Sequence, residues 1–321
     1  MAFAAPHSPV KNLILVGQQT LDWRDFEEIG HEMVRRASDI AVLVVSPSSV
    51  STVVPEEKWR RPTLTVSFGD LGTFIPLRGR IFENKSIPKL EQYSRFKAAG
   101  VNVPRTERFA LGRRYDPAKW GEFVLLKPES LDLTSHGEGV HLIRTETLSR
   151  LRREDFPADS VARTAPMLIQ PFIDTGKNPQ KYRVLTLFGQ ALYAQHTVLQ
   201  TERPDLAEPD SLLMSATVAT AAGERLYYHG DYPEVVEFAR AMARVFPEIP
   251  LLGCDILQDA GSGRLYALEI NAGGNTWHFS SPMWRERREK YPEVARQMKE
   301  QFGAWARAAE ALIAATRRYA R

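Results

Sequence analysis

The chain has 321 residues, with 42 Lys and Arg against 39 Asp and Glu and a formal net charge of +3. That length suits two or three compact units, and the scattered charges, with no basic stripe flanked by aromatics, exclude nucleic acid as an expected partner. A single cysteine, Cys254, rules out an intramolecular disulfide, and the absence of Cys-x-x-Cys or closely spaced His pairs argues against zinc or iron–sulfur sites.

The opening MAFAAPHSPVKN lacks the charged start and long apolar stretch of a secretory signal, and the longest strongly apolar run covers only residues 40–45. The expectation is a cytoplasmic globular protein without a membrane partner. Residues 1–85 read as a small α/β domain built on a mainly parallel sheet. NLILV (12–16) is followed by a helix from about Asp22 that turns Trp23, Phe26, Ile29 and Met33 inward, then by IAVLVV (40–45), with a further strand at 63–68. The loop GQQT after the first strand carries no dinucleotide fingerprint.

Residues 86–165 form the next predicted unit, of mixed α+β type. The helical stretch IPKLEQYSRFKAAG ends at Gly100. After it come VNVP, a strand FVLLK (123–127), the loop ESLDLTSHGEG (129–139), a strand VHLI (140–143) and a helical stretch near 147–154. Residues 166–284 open with the strand MLIQPFI (167–173) and hold two hairpins. One spans 182–198 and turns near Phe188 to Gln190; the other spans 251–271 and turns through Asp259 to Gly263. A helix is expected at 233–245, whereas 199–232 reads as a polar connection matching no pattern. From Glu293, within the last segment 285–321, Val294, Met298, Trp305, Ala309 and Leu312 fall on one face of an amphipathic helix whose basic residues face water.

The second hairpin carries the strongest chemical signal. With a loop of Asp259 to Gly263, Gln258 faces Arg264 and Asp255 faces Ala267, with Glu269 as the diagonal neighbour of Asp255. Strand alternation then puts Asp255, Ala267, Glu269 and Asn271 on one face, and Leu252, Cys254, Ile256, Tyr266, Leu268 and Ile270 on the other. Two carboxylates and an amide oxygen suit a hard cation, magnesium or manganese. The same pattern equally describes a hairpin whose solvated face is acidic. Cys254 falls on the apolar face and reads as a buried structural thiol.

The pieces between residues 86 and 277 resemble, in order, those of the ATP-grasp superfamily. They are a helix with Lys89 and Lys97 leading into GVNVP, Lys127-Pro128 ending a strand, the loop SHGEGV, MLIQPFI, Arg183 in YRV, Asp255, and Glu269-Ile270-Asn271. The spacing from Asp255 to Glu269 and the Glu-x-Asn ending are similar to the magnesium ligands of D-alanine:D-alanine ligase, glutathione synthetase and the glutamate-adding ligases. The resemblance implies an ATP-grasp fold whose two lobes clasp ATP, preceded by the α/β domain.

It further implies ATP and Mg2+ (or Mn2+) as cofactors, with the metal on Asp255, Glu269 and Asn271. Lys89, Lys127, Gly137, Gly139 and Arg183 would surround the phosphates, and Gln170, Pro171, Phe172 and Ile173 would form the adenine hinge. A ribose-binding acid has no clear counterpart in TGKNPQKYRV, where Asp174 is a poor substitute. Lys127 and Arg183 would stabilise a transferring phosphoryl group while a carboxylate substrate is joined to an amine, an amino acid or peptide being the expected substrates. A carboxylate–thiol ligase, a small-molecule kinase of the same fold and a non-catalytic ATP-binding protein are the alternatives, and a homodimer is left open. The segment AGGNTWHFSSPMW (272–284) is the expected acceptor pocket, with Gly273, Gly274, Asn275 and Thr276, then Trp277 and His278, as readers of the substrate. Trp277 reads equally as the cap of a core.

Overall fold

In a computed structural model describing residues 2–3, 9–18, 20–46, 48, 60–129, 139–215 and 223–321, three sheets follow one another along the chain. The first contains β1 (Ala2–Phe3), β2 (Lys11–Val16), β3 (Ile40–Val45), β4 (Thr63–Ser67) and β5 (Arg80–Glu83), in the order β1-β3-β2-β4-β5. All its pairs are parallel except that of β1 with β3. Helix α1 (Trp23–Arg36) makes the crossover from β2 to β3. Asp22 caps it by accepting from the Arg24 N–H, and Phe26, Ile29 and Met33, spaced three and four apart, are buried as the periodicity demands.

Helix α2 (Lys89–Ala98) ends as the sequence indicates. Gly100 takes a φ of +73°, and the Val101 N–H donates back to the Phe96 carbonyl, closing the last turn. The second sheet is antiparallel and ordered β6-β9-β7-β8, from β6 (Glu107–Arg108), β7 (Phe123–Pro128), β8 (His141–Arg144) and β9 (Met167–Pro171), with the short helix α3 (Pro117–Trp120) leading into β7. The helix expected near 147–154 is a pair of 3-10 turns, Thr145–Arg150 and Arg153–Asp155.

The third sheet is antiparallel throughout, ordered β12-β11-β10-β13-β14. Its members are β10 (Gln180–Leu187), β11 (Gln190–Leu199), β12 (Arg225–His229), β13 (Leu251–Gln258) and β14 (Leu265–Asn271), with α4 (Asp210–Met214) and α5 (Pro233–Arg244) between them. Phe188 and Gly189 both have positive φ at the β10–β11 turn, the geometry a two-residue hairpin loop needs. One sheet face packs on α2 and α5 through Val184, Ala194, Leu252, Cys254 and Ile270. The opposite face presents Lys181, Arg183, Gln195 and Asp255 as the floor of the site, while Leu185, Leu187, Tyr193 and Leu251 further along it join the core of the first sheet.

The C-terminal segment is not the single helix expected from Glu293. It forms α6 (Arg285–Lys290), α7 (Pro292–Glu300) and α8 (Ala304–Tyr319), with Gly303 at φ +66° breaking α7 from α8. Helix α8 lays Ala308, Ala311, Leu312 and Ala315 against the first sheet and α1, in one core with Trp277 and Phe279. No helix among the described residues is long and apolar enough to cross a membrane.

Candidate active site

A cavity of about 420 Å³ lies between the second and third sheets. One rung of the third sheet sets its centre: Glu269 on β14 pairs with Asp255 on β13, which pairs with Arg183 on β10, which pairs with Gln195 on β11. The hairpin register differs from the regular ladder assumed from sequence. Gln258 faces Leu265 rather than Arg264, and Ile256 faces Ala267. A bulge after Asp255 then brings Glu269 directly opposite it rather than diagonal. The cause lies outside the hairpin. The Ala267 N–H donates to the Asn102 carbonyl and the Tyr93 hydroxyl donates to the Leu268 carbonyl, so contacts from the α2 side hold β14 in the bulged path. In consequence Ala267 belongs to the apolar core, and Leu268 lines the cavity beside Glu269.

Asp255 is wholly buried. Its oxygens accept from Arg183 Nε at 2.6 Å, Arg183 Nη2 at 2.7 Å and Lys181 Nζ at 2.8 Å. Burial alone would raise its pKa, but the two cations outweigh that and hold it at about 2. Arg183, also desolvated, is in turn kept charged by Asp255. Its third nitrogen, Nη1, donates to His278 Nε2 at 2.9 Å, and His278 Nδ1 lies 2.6 Å from the Tyr193 hydroxyl. Because a guanidinium only donates, Nε2 accepts and Nδ1 carries the proton that goes to Tyr193. Burial and the surrounding cations push the His278 pKa well below its usual value, consistent with that neutral tautomer. The ring thus orients Arg183, a role its sequence position did not reveal.

Glu269 has no ion pair among the described residues, while the Asn271 amide lies 3.4 Å from Asp255 Oδ2. Lys89 and Lys127 stand across the cavity, both buried. Lys127 contacts the Tyr93 hydroxyl and sits 4.9 Å from the centre of that ring. Burial and the neighbouring Lys89 charge, only partly offset by Glu269, bring the Lys127 pKa down to about 7. Lys89 is lowered by burial against the opposing pull of Glu269.

Beyond the lysines the walls turn apolar, with Leu125, Val140, Phe172, Ile173, Leu257 and Leu268, and with Gln170 held by a hydrogen bond to Thr106 Oγ1 at 2.6 Å. Pro171 ends β9 and is not among the lining residues. Gly139 adjoins Val140 at φ +72°, whereas Gly137 lies outside the described residues. Asp174 is held by a bidentate contact with Arg203, both distances 3.1 Å, and does not line the cavity.

Only part of the 272–284 segment reaches the site. Asn275, His278, Met283 and Trp284 line it; Gly273 and Thr276 do not. Thr276 is buried. Trp277 is fully buried among Phe26, Phe68, Phe279 and Trp305, with its indole N–H on Asp25 at 2.9 Å, so it caps a core instead of reading a ligand. Cys254 is likewise structural: its thiol donates to the Ala239 carbonyl, and burial raises its pKa to about 12.

Sequence reasoning passed over five lining residues with ionisable or aromatic side chains, among them Arg203, which Asp174 holds. Lys181 could have been found as the same-face neighbour of Arg183. Arg225 and Tyr227 lie on β12, inside the stretch read as a polar connection, and Arg287 lies in a run that resembled a solvated helix.

No family model matches the sequence, and no curated protein is similar to it by sequence. Solved structures are similar over nearly the whole chain. The ATP-grasp ligase PsnB complexed with a minimal precursor, Mg and ADP is 15% identical, with 95% of this chain and 98% of that one covered and a TM-score of 0.50. D-alanine–D-alanine ligase from Bacillus anthracis is 12% identical over 94% of this chain and 99% of that one, with a TM-score of 0.42. D-cycloserine synthetase DcsG is 15% identical over 94% and 99%, also with a TM-score of 0.42.

Proposed function

We propose that this chain, which has the ATP-grasp fold, is an ATP- and magnesium-dependent ligase that joins a carboxylate to an amine through an acyl phosphate. One observation carries the reading: Asp255 and Glu269 face each other on adjacent strands, with Asn271 beside them, in a cavity that also holds two buried lysines and an apolar wall. An acidic pair on a solvated face would not be walled in with lysines opposite it.

The donors fit a hard divalent ion. They are two carboxylates and an amide oxygen, all hard donors, and Glu269 has no ion pair among the described residues. Held by Asp255, Glu269 and Asn271, magnesium would supply charge neutralisation at the nucleotide phosphates. The remaining work falls to the protein. The cleft of Leu125, Ile173, Leu257 and Leu268 takes the adenine ring between apolar walls, with Gln170 at its edge. Lys89 and Lys127 meet the phosphate oxygens; Lys127, close to neutral when the site holds no anion, takes up a proton as the phosphates arrive.

A substrate carboxylate oxygen then attacks the γ-phosphorus, the bond to the β-bridging oxygen breaks, and ADP leaves. Arg183, fixed by Asp255 and His278, stabilises the transferring group. The amine attacks the acyl carbon and loses a proton, the C–O bond to the phosphate breaks with its electron pair leaving on the phosphate, and an amide forms.

Phosphate release from MgATP, measured with pooled amino acids, small peptides and organic acids beside Glu269→Ala, tests this. Release that requires both a pool and Glu269 and yields a condensed product supports the ligase. A stable phosphorylated product would assign a kinase instead, and ATP binding without consumption under every pool would sink catalysis by this route.

A further inference from the structure

The cations lining the cavity outnumber its carboxylates, and their pairing is uneven. Lys181 and Arg183 share Asp255; Lys89 and Lys127 face Glu269 across the nucleotide end; Arg203 is neutralised from behind by Asp174. Arg225 and Arg287 remain. Neither has an ion pair among the described residues, and both reach the same end of the cavity from separate elements, the edge strand β12 and helix α6.

Strand pairing shows how that end is built. Tyr227 on β12 pairs with Thr197 on β11, which pairs with Lys181 on β10, so these side chains and Arg225, two residues along from Tyr227, share the sheet face that carries Asp255. Two strand spacings, roughly 10 Å, separate β12 from β10. Opposite them Trp284 stacks on His278 with ring centres 4.3 Å apart, packs on Tyr227 at 5.7 Å, and carries the Arg287 guanidinium 5.1 Å from its ring centre. The wall is therefore rigid and aromatic, and the charges are presented from it.

Arg225 Nε is shut off from solvent and has no hydrogen-bond partner among the described residues. A buried donor left without an acceptor is unfavourable, the more so when it is charged. Arg287 is disfavoured as a cation as well, by burial and by the repulsion of Arg225 and Arg183. Two guanidinium forks held close together without a counter-ion, at the far end of a cavity whose centre already has its own acids, form a site for a planar anion.

We propose that Arg225 and Arg287 bind a second, non-reacting carboxylate of the substrate, so that the enzyme acts on a dicarboxylic compound, a free acidic amino acid or a peptide that ends in an acidic residue. One carboxylate lies toward Arg183 and the nucleotide; the other is anchored between Arg225 and Arg287 with Tyr227 and Trp284 flanking the chain between them. The identity of the reaction rests on the ligase reading above; the anion site does not.

Calorimetric titration of the full-length protein with glutarate and with valerate, which share a five-carbon chain and differ by one carboxylate, tests the proposal. Glutarate is expected to bind at least tenfold more tightly, and Arg225→Gln and Arg287→Gln are each expected to remove that preference while MgADP affinity and the melting temperature stay near their original values. Equal binding of the two acids, or a preference that survives both substitutions, overturns the proposal. So does inorganic phosphate binding tenfold more tightly than glutarate in an Arg225-dependent manner, which would assign the site to a phosphorylated substrate. If MgADP fails to bind the unaltered protein while the glutarate preference persists, the nucleotide reading falls and the dicarboxylate site stands.

Discussion

The two ends of the cavity lie on one face of one sheet, yet they treat charge in opposite ways. At the Asp255 end the cations are matched: Arg183 and Lys181 close on a single buried carboxylate. At the β12 end Arg225 and Arg287 face each other with none among the described residues. The matched end is a self-contained part of the folded structure, stable before any ligand arrives. The unmatched end is arranged for a ligand and costs stability until one comes. Electrostatics thus separates what holds the site together from what the site is built to hold.

The sharpest way to break this contrast is to remove one acid at a time. Asp255→Asn strands Arg183 and Lys181, and urea unfolding is expected to show a loss of about 3–5 kcal/mol. Glu269→Gln, with no ion pair to lose, is expected to stay within about 0.5 kcal/mol of the parent while phosphate release falls roughly 100- to 1,000-fold. Equal destabilisation by the two changes would erase the distinction between an acid that also anchors buried cations of the fold and one that faces the ligand alone.

A second test uses pH. Lys127 has a folded pKa of about 7, below its unfolded value, so the unfolded chain binds more protons between the two. Stability of the ligand-free protein should therefore rise as pH increases from about 7 toward 10, by up to about 1.4 kcal/mol per unit. Lys127→Met should flatten that slope and weaken MgADP binding; a Met variant with the parent's pH dependence would show that Lys127 is charged in the ligand-free protein.

Smaller effects sharpen the picture. Tyr193→Phe leaves the His278 Nδ1–H without its acceptor and is expected to cost about 1–2 kcal/mol, with a several-fold fall in phosphate release as Arg183 loses its orientation. Arg225→Gln, at the unmatched end, is expected to leave thermal stability unchanged or slightly higher, within about 0.5 kcal/mol, since it removes a repulsion and no bond. A marked loss would reveal a counter-charge for Arg225 within the fold.

Legibility in the sequence follows the same division. Asp255, Glu269 and Asn271 could be placed on a shared face because they belong to two strands joined by one short turn, where alternation and chain continuity suffice. The register itself could not, since Asn102 and Tyr93, far away in sequence, impose the bulge at Leu268. Lys127 could be named for the phosphates from its place at a strand end beside a glycine-containing loop, but its burial beside Lys89 and Tyr93 is a tertiary fact. Arg225 and Arg287 left no local trace. RLYYH is too short a strand to stand out, and RERREK has the composition of a solvated helix. Only the sheet order, with β12 at its edge, brings them to the cavity.

Helix α8 adds a consequence for biogenesis. It covers the first sheet and α1, and the Thr63 N–H donates to the Arg321 carbonyl at 3.2 Å. The strands of the first sheet are therefore covered by a helix that is made long after them. Until translation reaches that helix, Leu13, Leu64 and Val66 lack much of their apolar cover, and the nascent chain must wait with a sticky sheet face exposed. Vectorial synthesis and final packing run in opposite directions here, so the core of the first sheet is complete only once α8 has been made.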